Sequence, residues 1–171
     1  VDDHRLLLLW VVVVGALGVL MALAARAGSP LDDPDPARQR PGFLDAVGRP
    51  TPAPTVAPGV PSPGRRAVVF FVRPQLAAPL CRAIAADPSL RRRADLAVVS
   101  SGPAPTCPGA GSVPDGGGGV ASAFGMRRPR DGGPPVGYAV VDRAGRVRYR
   151  TLDPSVVHGL REVETMVKAT P

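Results

Sequence analysis

Two stretches, AVVFFV at 67–72 and ADLAVVS at 94–100, are almost continuously apolar and rich in β-branched or aromatic residues. A strand with one wet face alternates polar and apolar residues. A continuous apolar run instead suits a strand covered on both sides, as in a parallel sheet between helices. Between the two runs lies LCRAIAA (80–86), compatible with helix and ended by Asp87-Pro88, because the residue before a proline is pushed out of the helical region. Strand, helix and strand in that order predict an α/β fold.

The remaining segments extend the pattern. GVASAFGM (119–126) predicts a short helix. VGYAVVD (136–142) and RVRYRTL (146–152) predict strands flanking the turn Asp142-Arg143-Ala144-Gly145, where glycine makes a positive φ inexpensive. In the second of these strands Val147 and Tyr149 alternate with Arg146, Arg148 and Arg150, predicting one buried face and one solvated face. A last helix is expected from Asp153-Pro154 or Ser155, with Val156, Val157, Leu160, Val163 and Val167 as its apolar stripe.

Ahead of this α/β part, residues 6–25 (LLLLWVVVVGALGVLMALAA) form twenty consecutive uncharged residues. As a helix they would be about 30 Å long, the thickness of a bilayer's hydrocarbon core. The segment reads as an uncleaved membrane anchor, with a signal peptide as the alternative, since Ala22-Leu23-Ala24 and Ala25-Arg26-Ala27 loosely resemble cleavage sites. Arg5 precedes the span and Arg26, Arg38 and Arg40 follow it, so charge orients it poorly. The expectation is a single-pass cell-membrane protein with its C-terminal part outside the cytoplasm. From Gly28 to about Arg66, Pro and Gly dominate, as in a stiff extended spacer. The expected organisation is an anchor at 1–27, a Pro-rich linker at 28–46 and a globular domain at 47–171.

Composition fits this division. The 171 residues allow one modest domain with appendages, and the 20 Gly and 22 Pro require a substantial irregular segment. The net charge of +7 comes almost wholly from arginine, since Lys168 is the only lysine. The arginines are scattered or in short clusters (Arg91 to Arg93; Arg127, Arg128, Arg130), and aromatics make up 4% of the chain. That pattern argues against a nucleic-acid interface and for solvated basic faces or contact with anionic lipid.

The order β-α-β-α-β-β-α, with several local motifs, resembles the thioredoxin-like redoxins. It resembles in particular the alkyl hydroperoxide reductase/thiol-specific antioxidant proteins and the membrane-anchored thioredoxin-like proteins of bacteria. VGRPTPAPT (47–55) is similar to the opening of redoxin domains, and VVFFVRP with LCR to their first strand and active-site turn. VPDGGGGVASAFGM and PPVGYAVVDRAGRVRYRTL resemble their later helix and hairpin segments, with Pro135 where thioredoxins keep a cis-proline. The resemblance covers roughly residues 47 to 168 and implies thiol-based redox chemistry, a redox partner protein and no cofactor.

The active-site motifs are incomplete. Peroxiredoxins carry P-x-x-x-T-x-x-C; here Pro74 and Cys81 have that spacing, but Ala78 stands at the threonine. Aligned on the C-x-x-C of thioredoxins, the first cysteine again falls on Ala78. Pro135 also takes the place of the peroxiredoxin arginine ahead of the hairpin.

If Pro79 opens the helix, Cys81 lies in its first turn. Unpaired amides, the macrodipole and the adjacent Arg82 would then favour a nucleophilic thiolate. Dithiol exchange needs a second sulfur, and Cys107, in the loop SSGPAPTCPGAGS, is the only candidate. Three readings stay open: a redox-active Cys81 resolved by Cys107, a structural bond between them, or a redoxin fold whose thiols do nothing. The third would leave a binding or scaffold module at the membrane.

His4 and His158 have no ligand-spaced partners, so no metal site is expected and no Ser-His-Asp arrangement can be drawn. PDGGGGV lacks a following Gly-Lys-Ser/Thr and reads as a surface segment rather than a phosphate loop. Asp142 reads as a turn residue rather than a base.

Overall fold

The computed structural model describes residues 3–26 and 45–171, with side chains from 10 to 23, at 45 and from 47 onward. Most of the linker expected at 28–46 therefore lies outside the described residues. The chain divides into two compact units, Val1–Asp32 and Asp33–Pro171. In the first unit α1 (Asp3–Arg26) is a single helix, and its side chains from Trp10 to Leu23 are exposed. Among the described residues no helix is long and apolar enough to cross a membrane; the described side chains of α1 cover only part of the apolar run.

The second unit is built on a six-stranded mixed sheet. Its strands are β1 (Asp45–Pro52), β2 (Arg66–Val72), β3 (Ala94–Ser100), β4 (Gly111–Pro114), β5 (Gly137–Val141) and β6 (Arg146–Leu152). They lie in the order β1-β6-β5-β2-β3-β4. β2, β3 and β4 run parallel, whereas β5 is antiparallel to both β2 and β6, and β1 is antiparallel to β6. The connections are α2 (Pro74–Ala86), α3 (Pro88–Arg93) and α4 (Gly119–Ala123), with α5 (Leu160–Ala169) closing the chain. A parallel βαβ unit joined edge to edge with a ββα unit is the thioredoxin-like fold, and this chain has it.

The continuous apolar strands are explained by two cores, one on each face of the sheet. Val68, Phe70 and Val72 of β2 and Leu96 and Val98 of β3 pack toward α2, α3 and α5. Val69 and Phe71, with Ala97 and Val99, pack toward α4 and the segment around Ala57 and Val60. Both faces are dry, so neither strand can alternate.

Three local expectations need correction. First, α2 does not open at Pro79: it opens at Pro74, behind Arg73, and passes through Pro79. Either proline can take the first helical position, where a missing amide costs nothing. Pro74 takes it, and its ring packs against Gly102, where a Cβ would come within 2.6 Å of the proline Cγ.

Second, Val147 and Tyr149 do not share a face. The register between β5 and β6 shifts between Val140 and Val141, leaving Arg148 as an extra residue. The bulge sends Val147 into one core and lays Tyr149 against the other.

Third, the last helix starts at Leu160, behind Gly159, rather than near Pro154. Residues 154–158 form turns instead, with the amide of Ser155 donating to Asp153 Oδ1 at 2.7 Å and that of His158 to the Ser155 carbonyl at 2.8 Å. Val156 is still fully buried.

Candidate redox site

The buried face of α2 is Ala77, Leu80, Cys81 and Ile84, a stripe at helical spacing that lies on the sheet. Cys81 is the eighth residue of the helix and only 3% exposed, within the same core as Phe70 and Tyr138. The expectation that it sits in a first helical turn is therefore corrected, because α2 begins seven residues earlier. The orphan amides of a helix end with its first four residues, so none remains to stabilise an anion at Cys81. Arg82 follows Cys81 in sequence but lies with Ala78 on the exposed side of α2.

Cys107 is bonded to Cys81, with the two Cα atoms 4.9 Å apart. The geometry follows from the loop between β3 and β4. The amide of Ser101 donates to the Val72 carbonyl at 3.0 Å, joining the start of the loop to the end of β2. Gly102 then crosses the ring of Pro74, and further on Gly109, at φ +83, lies against the Arg91 side chain of α3. The loop is thus laid over α2 and α3, and Cys107, 9% exposed, turns inward from it. Among the described residues there is no free cysteine and no group of His, Cys, Asp or Glu able to hold a metal ion.

The other residues singled out in the sequence are dispersed. Pro74 opens α2, and Ala78 is exposed one turn before Cys81. Pro135 follows a trans peptide bond; among the described residues the one cis bond precedes Pro61. Pro135 borders a cleft of about 460 Å³ at the C-terminal ends of β2 and β3, under the face of the sheet opposite the disulfide. Phe71, Val99, Ala121 and Met126 line this cleft, and neither cysteine does.

The polar groups around the cleft were not apparent as a set in the sequence. Asp115 holds the start of α4, its two oxygens accepting from the amides of Val120 (3.0 Å) and Ala121 (2.9 Å). Arg73 Nη2 pairs with Asp131 at 2.6 Å, and its Nε donates to the Pro134 carbonyl at 3.0 Å. Asp45 of β1 accepts from Arg150 at 2.8 Å and Arg127 at 3.4 Å. Their one sequence signal was the clustering of Arg127, Arg128 and Arg130 after a glycine-rich stretch, but it could not show that Arg127 and Arg128 border one cavity.

No family model matches this chain, and no curated protein matches it. Among solved structures, DsbF of MTB in mixed oxidized and reduced forms is 19% identical, with a TM-score of 0.40 over 61% of this chain and 82% of that one. A bacterioferritin comigratory protein of Xanthomonas campestris is 20% identical, with a TM-score of 0.46 over 62% of this chain and 77% of that one. A secreted Mycobacterium tuberculosis disulfide oxidoreductase homologous to E. coli DsbE is 16% identical, with a TM-score of 0.41 over 65% of this chain and 86% of that one. At these identities the likeness concerns the fold alone.

Proposed function

We propose that this chain is a membrane-tethered module of redoxin fold whose cysteine pair is a structural bond and whose work is binding rather than thiol chemistry. One observation carries the reading: Cys81 is mid-helix, sealed in the core and bonded to Cys107. A reactive thiolate is favoured by a helix N-terminus, a neighbouring cation or metal, or a Cys-X-X-Cys partner. Cys81 has left the first turn, and Arg82 is on the wrong side of the helix. Peroxide cleavage needs donors around the two oxygens, and Ala78 supplies a methyl group. The solvent-facing position one turn earlier, where exchange chemistry would need its sulfur, is alanine.

The tether rests on the twenty uncharged residues at 6–25. An export orientation accords with a cysteine pair held as a disulfide, which persists in oxidising compartments. Incubating the full chain in detergent with dithiothreitol and either insulin or hydrogen peroxide tests the chemistry. Rates should be no greater than those without protein; catalytic turnover abolished by Cys81→Ser would overturn the structural-bond reading.

A second reading is favoured by one feature, the inward turn of Cys107 from a surface loop. A partner dithiol could reduce the bond, passing two electrons and two protons to the pair, without α2 unwinding. Turnover with a protein disulfide but not with peroxide would select this reading.

A further inference from the structure

We infer that the cleft at the C-terminal ends of β2 and β3 binds a small oxyanion with an apolar body, its charged group held by Arg128 beside the glycine tract 116–119. This deepens the binding-module reading and rests on it. The volume of about 460 Å³ is that of a small-molecule site, and the interior surface of Phe71, Val72, Val99, Ala121 and Met126 is apolar.

The charges at the cleft are unequal in their commitments. Asp115, Arg127 and Arg128 are the charged residues that line it. Both Asp115 oxygens are taken by the amides of Val120 and Ala121. Arg127 is paired with Asp45. Arg128 is exposed and makes no hydrogen bond or ion pair with any described residue. A cavity that offers one uncommitted cation and no uncommitted carboxylate selects for negative charge.

The glycines add an independent argument. A Cβ at Gly116 or Gly117 would meet nothing within 4 Å, so packing does not demand glycine at either position. Of the tract, Gly118 alone, at φ +71, needs glycine for its backbone. Bare backbone at a cleft mouth lets a ligand approach the main chain closely, and the amides of Gly116 and Gly117 donate to no described residue. Carboxylates and phosphates share the chemistry these donors would recognise.

Nitrogen-15 spectra of the full chain in detergent, titrated with benzoate, phenyl phosphate and the neutral benzamide, test the site. The expected result is saturable shifts at Gly116 to Gly118 and Met126 to Arg128 with one or both anions. Benzamide should give none, and Arg128→Ala and Arg128→Gln should weaken binding about tenfold or more. Which anion binds more tightly identifies the ligand's charged group. Equal binding of benzamide, shifts centred elsewhere, undiminished binding in both variants, or no saturable shift overturns the inference. The titration is blind to cysteine chemistry. Peroxide turnover together with anion binding at the cleft would sink the structural-bond reading and leave the cleft standing; no turnover and no anion binding would do the reverse.

Discussion

Tyr138, the second residue of β5, has its ring centroid 6.3 Å from that of Phe70 and its hydroxyl buried without a hydrogen-bond partner. Burial, reinforced by Glu162 and Asp153, pushes its pKa above the ordinary tyrosine value, so it stays a neutral phenol. An unsatisfied buried donor costs about 1–3 kcal/mol, and replacing it by an apolar group of the same shape is neutral or stabilising. Tyr138→Phe should therefore leave the midpoint of thermal unfolding unchanged or raise it. A fall equivalent to more than about 1 kcal/mol would mean that the hydroxyl does make a bond. The burial of the two cysteines likewise could not be read from the residues. The sequence offered Cys81 beside Arg82, but helical geometry puts neighbouring residues about 100° apart, and the docking of the Ala77, Leu80, Cys81, Ile84 face on the sheet decides which of them faces water.

At the scale of elements, the β5–β6 hairpin is held by one carboxylate. Asp142, 2% exposed, accepts from the Arg146 amide at 2.9 Å and from Arg148 Nε at 2.6 Å. Burial alone would raise its pKa, but these donors outweigh it and hold the carboxyl below its usual 3.8. A depressed carboxylate contributes stability that is present above the unfolded-state value and is lost as pH falls through the folded one. Asp142→Asn keeps the acceptor for Arg146 and loses the charge opposite Arg148. It should cost about 1–3 kcal/mol at pH 7, with the gap to wild type closing as pH drops below 3.8. A gap independent of pH, measured by urea unfolding, would contradict this.

The same hairpin shows how far local sequence reaches. The turn and β6 run over the residues read from pattern, because Asp142 and Gly145 encode the turn locally. The bulge at Arg148 was hidden, since alternation continues through it and only pairing with β5 displaces it. β4 and α3 are too short to show a period. The start of α2 was misplaced at Pro79, since nothing local marks Pro74, six residues before the apolar LCRAIAA run, as the helix opening.

At the scale of the molecule, two cores share one sheet, and a single covalent bond ties the loop before β4 to α2. Bridging 26 residues of separation should stabilise the domain by about 3.5 kcal/mol through the unfolded chain. The double variant Cys81→Ala/Cys107→Ala should therefore unfold roughly 10–15 °C lower while keeping its anion response at the cleft, which lies under the other face of the sheet. A melting point unchanged by the double variant would remove the structural role. The most direct test of the sealed bond is the rate at which a membrane-derived or detergent-solubilised full chain is reduced by dithiothreitol, read by mass after alkylation, across a series of urea concentrations. Reduction should track the fraction of unfolded protein and nearly stop under native conditions. Reduction as fast in buffer as in denaturant would show that the Cys81–Cys107 pair is open to exchange.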